Sequence, residues 1–157
     1  MNLSRFVIAS ACALVFNAGF AADMTPPSPA APEKLAAARG LIAAKNWAGA
    51  IEELKRVNDS ASADWNNLMG YSQRKSRTPD LAAAERYYGE ALRLDPKHRG
   101  ALEYSGELFL QLGDLARAEQ RLVALDKACF LPCEEFTELK NAVARFKANG
   151  NKYIAAN

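Results

Sequence analysis

The chain predicts an all-α fold of stacked helix pairs, and three observations carry that expectation. The segments NWAGAIEELKRV, DLAAAERYYGEAL and DLARAEQRLVAL align so that Ala50, Ala84 and Ala118 stand 34 residues apart at both steps. Trp47, Leu81 and Leu115 keep that interval, as do Leu54, Tyr88 and Leu122, and Val57, Ala91 and Leu125. Each set has helical spacing: a small residue, a large one four positions on and a third three further share one helical face. No strand pattern interrupts them. Self-similarity at a fixed interval marks a repeat architecture, in which each unit buries its apolar face against the next.

The elements follow in chain order. The opening MNLSRFVIASACALVFNAGFAAD has a positive head at Arg5, an apolar run from Phe6 to Phe16, and small residues at Gly19 and Ala21. This is the pattern of a secretory signal peptide over residues 1–21, too short to span a bilayer. Cleavage is expected after Ala21, with Ala22 the alternative. Cys12 reads as part of the apolar run rather than as a lipid attachment point, because hydrophobic residues continue past it. Residues 22–32, containing DMTPPSPAAP, read as a proline-rich disordered spacer.

The domain is expected over 33–148. Its first pair, about 33–60, opens with a helix from about Glu33 to Lys45 that carries Ala38 and Leu41. The second pair, 63–96, opens with DWNNLMGYSQRK (64–75), where Gly70 allows close approach among Trp65, Leu68 and Met69, and Pro96 ends the unit. The third, 99–130, opens with ALEYSGELFLQL (101–112), with Gly106 as the small residue, Leu102 and Phe109 beside it, and a turn at Gly113-Asp114. Residues 134–148 form one more amphipathic helix. Phe136, Leu139, Val143 and Phe146 make its stripe, and Glu134, Glu135, Lys140 and Lys147 lie outside, as suits a cap on an open stack. Residues 149–157 are read as a flexible tail.

This pattern resembles the tetratricopeptide repeat. The third unit carries the resemblance through Leu102, Gly106, Phe109, Gly113, Ala118, Leu122 and Leu125, and the second through Gly70, Ala84, Tyr88, Ala91 and Pro96. The second departs at SRTPD, a turn about two residues longer than the repeat's, and the first has Lys45 where a glycine is usual. The resemblance implies a right-handed α-solenoid of about three hairpins plus a capping helix. It further implies a protein or peptide partner lying along the first helices of the pairs, on the concave side. Carried over position by position, that surface is Leu35, Arg39 and Ile42, then Asn67, Tyr71 and Arg74, then Glu103, Glu107 and Gln111. The lysine and asparagine clamp that some relatives use for a terminal carboxylate is not reproduced, since Asn67 and Tyr71 stand in those places. Tyr71 with Asn67 and Arg74 forms the leading contact cluster.

CFLPC, Cys129 to Cys133, admits three readings. In an exported chain whose processed form keeps two cysteines, a structural disulfide comes first. Helical geometry around Pro132 puts the two Cα atoms about 6 Å apart, within disulfide range. A redox couple is less well served, because Glu134 and Glu135 disfavour a thiolate at Cys133 and Lys127 is the nearest cation in sequence. A metal site would have to recruit His98, which reads as a solvated linker residue between the second and third units.

The remaining composition narrows the function. The formal charge is +2, falling to +1 without the leader, which leaves no electrostatic footprint for nucleic acid. There is no phosphate-binding glycine loop, no G-x-S-x-G and no H-E-x-x-H, and the single histidine supplies no catalytic constellation. The expectation is a non-enzymatic adaptor or assembly factor of the bacterial envelope. It would act in the periplasm, with secretion beyond it the lesser alternative, without cofactor or membrane span, on a protein or peptide. A thiol-disulfide or metal-handling accessory acting through Cys129 and Cys133 is the alternative, and weak self-association through the alanine-rich first helix is a lesser one.

Overall fold

A computed structural model describes residues 33–131 and 133–154. The expected signal peptide, the spacer, Pro132 and the last residues of the tail lie outside the described residues. Seven helices are present: α1 (Ala36–Ala43), α2 (Trp47–Val57), α3 (Ala63–Lys75), α4 (Leu81–Leu94), α5 (Arg99–Gln111), α6 (Leu115–Ala128) and α7 (Glu134–Ala148). The described residues contain no strand, so the fold is all-α. No described helix is long and apolar enough to cross a membrane.

The starts of α2, α4 and α6 show why the interval of 34 is held. Asn46, Asp80 and Asp114 are their N-caps, and each side chain accepts from the backbone N–H three residues on, at Gly49, Ala83 and Arg117 (3.0, 2.8 and 3.0 Å). A polar acceptor there satisfies an N–H that the helix itself leaves free. The turns before the first and third of these are built alike. Asn46 N donates to Leu41 O and Asp114 N to Phe109 O, both at 2.8 Å, across a residue with positive φ: Lys45 at 55° and Gly113 at 78°. The glycine-type turn is therefore kept in the first pair although a lysine occupies it.

Each helix packs on its sequence neighbours, and α1 on α3, α3 on α5 and α5 on α7 as well. The even-numbered helices make no such contact with one another. The odd-numbered helices therefore form the closely spaced layer. Ala50, Ala84 and Ala118 are wholly buried where the layers meet, and Leu54, Tyr88, Ala91 and Leu125 are buried behind them. A β-carbon on Gly70 would stand 2.8 Å from the Tyr88 ring and 3.2 Å from the Ala84 carbonyl oxygen. Only glycine lets α3 and α4 come this close. Gly106 has a different neighbour: its β-carbon would meet Leu139 of α7 at 2.5 Å. The capping helix thus seats its central leucine in a notch on α5, with Val143 and Phe146 buried alongside.

Cys129 and Cys133 are joined by a disulfide, with Cα atoms 6.0 Å apart. They are the C-cap of α6 and the N-cap of α7. Closing so short a loop stabilises by about 2 kcal/mol in the chain-entropy account.

Candidate functional site

The odd-helix layer carries two adjoining depressions of about 420 and 440 Å³ that share Tyr71, Glu103 and Tyr104. Together they make a groove running from the α1–α2 turn towards the N-terminal ends of α3 and α5. Its walls are aromatic. The rings of Tyr71 on α3 and Tyr104 on α5 lie 4.6 Å apart, and Trp47 at the start of α2 meets Tyr71 edge-on at 5.8 Å. Tyr153, beyond α7, lines the same end as Lys45, Trp47 and Lys75.

Beneath the tyrosines lies Arg74, 3 % exposed, with its guanidinium 5.7 Å from the Tyr71 ring and 6.0 Å from that of Tyr104. It donates to Glu107 at 2.7 Å. Burial alone would lower its pKa, but neighbouring Tyr88 and the Glu107 carboxylate outweigh burial and raise it. Arg74 is thus a cation of the interior that holds two rings and a carboxylate from below. It does not line the groove.

The other sequence-derived candidates separate. Asn67, Tyr71 and Glu103 line the groove together, and Glu107 lines its α2 end. Arg39 sits exposed at the opposite end, paired with Glu33 at 3.0 Å and Asp64 at 3.2 Å. Leu35 is buried in the core with Leu54 and Trp65, while Ile42 reaches the groove rim. Gln111, the last residue of α5, lines neither depression. His98 departs from its solvated reading. It caps α5, with Nδ1 accepting from Ala101 N at 3.1 Å, and its Nε2 then carries the hydrogen and donates to Asp64 at 2.9 Å. Asp64 so ties α1 and α5 to the first turn of α3.

Glu103 is 3 % exposed and faces an unusual set of neighbours. Burial pushes its carboxyl up to about 9, helped by a hydrogen bond with Glu138 and by the charges of Glu138, Glu107 and Glu135. Burial likewise raises Tyr104 and Tyr71, Arg74 opposing in the latter. The groove floor therefore holds a buried carboxyl, favoured in its protonated form, that shares both depressions with Tyr71 and Tyr104, with Glu138 exposed at the rim. The amide oxygen of Asn67 is buried on the same floor and finds no hydrogen-bond partner among the described residues.

Sequence reasoning missed Tyr104, Glu138 and Tyr153. Tyr104 could have been found, since it falls between Glu103 and Glu107 on a face already assigned to the groove. Its register position in the second unit is Leu68, which hid it. Glu138 and Tyr153 come from the cap and the tail, which no repeat register covers. The disulfide loop is a separate feature, with Phe130 and Leu131 exposed at its tip. Among the described residues no group of three or more His, Cys, Asp and Glu side chains could hold a metal ion. No family model matches the chain, and a search of curated proteins returns no match.

Proposed function

We propose that this protein is a non-enzymatic adaptor of tetratricopeptide type that binds an extended segment of a protein partner in the groove of the odd-helix layer. The carrying observation is the tyrosine pair: two rings 4.6 Å apart, held from below by a buried arginine, on an open surface. Rigid aromatic side chains give large contact area at small entropic cost, and buried support keeps them oriented before a partner arrives. The solenoid reading has its own support. The caps Asn46, Asp80 and Asp114 repeat at the interval of the buried alanines, and the odd helices close into a row that the even ones do not match. In a superhelix of such pairs the odd row is the concave side.

The periplasm is the proposed compartment, supported by the leader pattern and by the Cys129–Cys133 bond, which oxidising conditions favour. One observation favours the second reading, a thiol-disulfide accessory: Cys133 stands at the N-terminus of α7, whose free N–H groups favour a thiolate, although Glu134 and Glu135 in the same first turn oppose it. A photo-crosslinking residue at Tyr71, compared with one at exposed Val123 on α6, tests the adaptor reading in intact cells. Adducts with a partner are expected from position 71 alone. Adducts from position 123 only, or from neither, would overturn it.

A further inference from the structure

We propose that the segment bound in this groove is cationic, an arginine or lysine side chain seating over Tyr71 and Tyr104 against the carboxyl groups of Glu103 and Glu138. This rests on the adaptor reading and adds the chemical class of its ligand.

The argument begins with which charges are already used. Glu107 is paired with Arg74, Asp64 with Arg39 and His98, and Glu135 with Arg99 at 3.5 Å. Glu103 and Glu138 are left facing each other with no cation of the described residues in salt-bridge range of either. A buried carboxyl with a second one at its side is costly unless a proton or a cation sits between them. In the unliganded chain burial and the neighbouring carboxylates favour a proton in that role. The rings beside it offer their electron-rich faces, and a guanidinium or ammonium among aromatic and acidic groups gains from both. The orphaned amide oxygen of Asn67, 7 % exposed and on the same floor, is an acceptor awaiting a donor, and a cationic side chain or a peptide N–H supplies one. Lys45 and Lys75 line the same depression as Glu103, Glu107 and Glu138, but no described salt bridge joins either lysine to Glu103 or Glu138, and the three carboxyl groups outnumber the two ammonium groups there.

The proposal carries a proton balance. Ligand binding ionises Glu103, and the proton released goes to solvent. Glu138 and Glu135 act on it from α7 and Glu107 from α5, its charge is felt by Tyr104 on α5 and Tyr71 on α3, and Arg74 on α3 acts in turn on Tyr71. Affinity for a permanently charged arginine peptide should therefore rise with pH up to about 9, where free Glu103 ionises unaided.

The test is a positional-scanning library of N-acetylated, C-amidated octapeptides, one position fixed in each pool, read by fluorescence anisotropy with the full processed chain. Pools fixed as arginine or lysine should bind at least tenfold more tightly than those fixed as glutamate, glutamine or leucine at one position. Glu138→Lys changes an exposed side chain and should abolish that preference with the helical circular dichroism unchanged. Glu103→Gln should remove the pH dependence of the arginine pool. Selection of acidic or neutral pools, or an arginine preference that survives Glu138→Lys, would overturn the cationic ligand and leave the adaptor standing. If no pool binds, both readings fall.

Discussion

The first and third helix pairs are built on one plan and finished differently. Each has a polar N-cap on its second helix, a buried alanine four residues on, and a turn across a residue with positive φ. The third pair adds α7, whose Leu139 fills the notch at Gly106 and whose Val143 and Phe146 join Leu102, Phe109 and Leu125 in the largest buried cluster. The first pair has an α1 of 8 residues with Ala38 as its only buried residue, and a lysine held in the left-handed turn. Backbone geometry thus outlasts side-chain identity from unit to unit. Stability does not spread evenly along such an array, because each unit is held only by its neighbours.

The sharpest way to break the contrast is to empty the notch. Leu139→Ala removes a fully buried side chain and should cost about 2–5 kcal/mol, enough to lower the cooperative melting point well below that of the parent. Hydrogen exchange should then show α5 to α7 losing the protection that sets them apart from α1 and α2. If α1–α2 remains the first region to exchange by a wide margin, α7 is not what distinguishes the two ends. Next in size, Cys129→Ser with Cys133→Ser should cost about 2 kcal/mol by releasing the loop constraint. Loss of partner binding without loss of stability would instead support the thiol reading.

The pH dependence should also sit at the α5–α7 end. Glu103 is raised from 4.5 to about 9 on folding, so between those values the folded chain holds a proton that the unfolded chain has lost. Stability on this account is full below pH 4.5 and falls as pH rises towards 9. Glu103→Gln should flatten the fall in a series of denaturant melts from pH 5 to 9. A slope equal to the parent's would place the effect elsewhere.

Much of this could be read from the residues because burial and periodicity are properties of short segments. The three alanine columns, Gly70, Gly106 and the stripe of α7 each declare themselves within one or two turns, and each stands where a close contact occurs. The caps at Asn46, Asp80 and Asp114 are equally local, but a polar N-cap carries no burial of its own and so adds nothing to an apolar column. The groove was legible only in part. A repeat register says which residues share a helical face, which brought out Asn67, Tyr71, Glu103 and Glu107. It does not say how deeply a long side chain sinks, so Arg74 reads as a surface contact until Glu107 and the two tyrosines are seen around it. His98 likewise reads as solvated until Asp64, a full repeat away, is found beside it.

The smallest effect tests the comparison at its origin. Lys45 at φ 55° occupies the place that Gly113 takes at 78° in the third pair, and a side chain costs about 1–2 kcal/mol in this region. Glycine would remove that cost and return part of it through a freer unfolded chain, about 0.4–1 kcal/mol. Lys45→Gly should therefore stabilise by about 0.5–1 kcal/mol and raise the melting point by a few degrees, while Gly113→Lys should lower it by a similar amount. Lys45 is exposed, and none of the described salt bridges includes it, so little is lost with its side chain. A lower melting point for Lys45→Gly would mean that its aliphatic stem packs on Trp47 and contributes more than the turn gives up. In that case the first pair would be finished by a side-chain contact of its own rather than left as a weaker copy of the third.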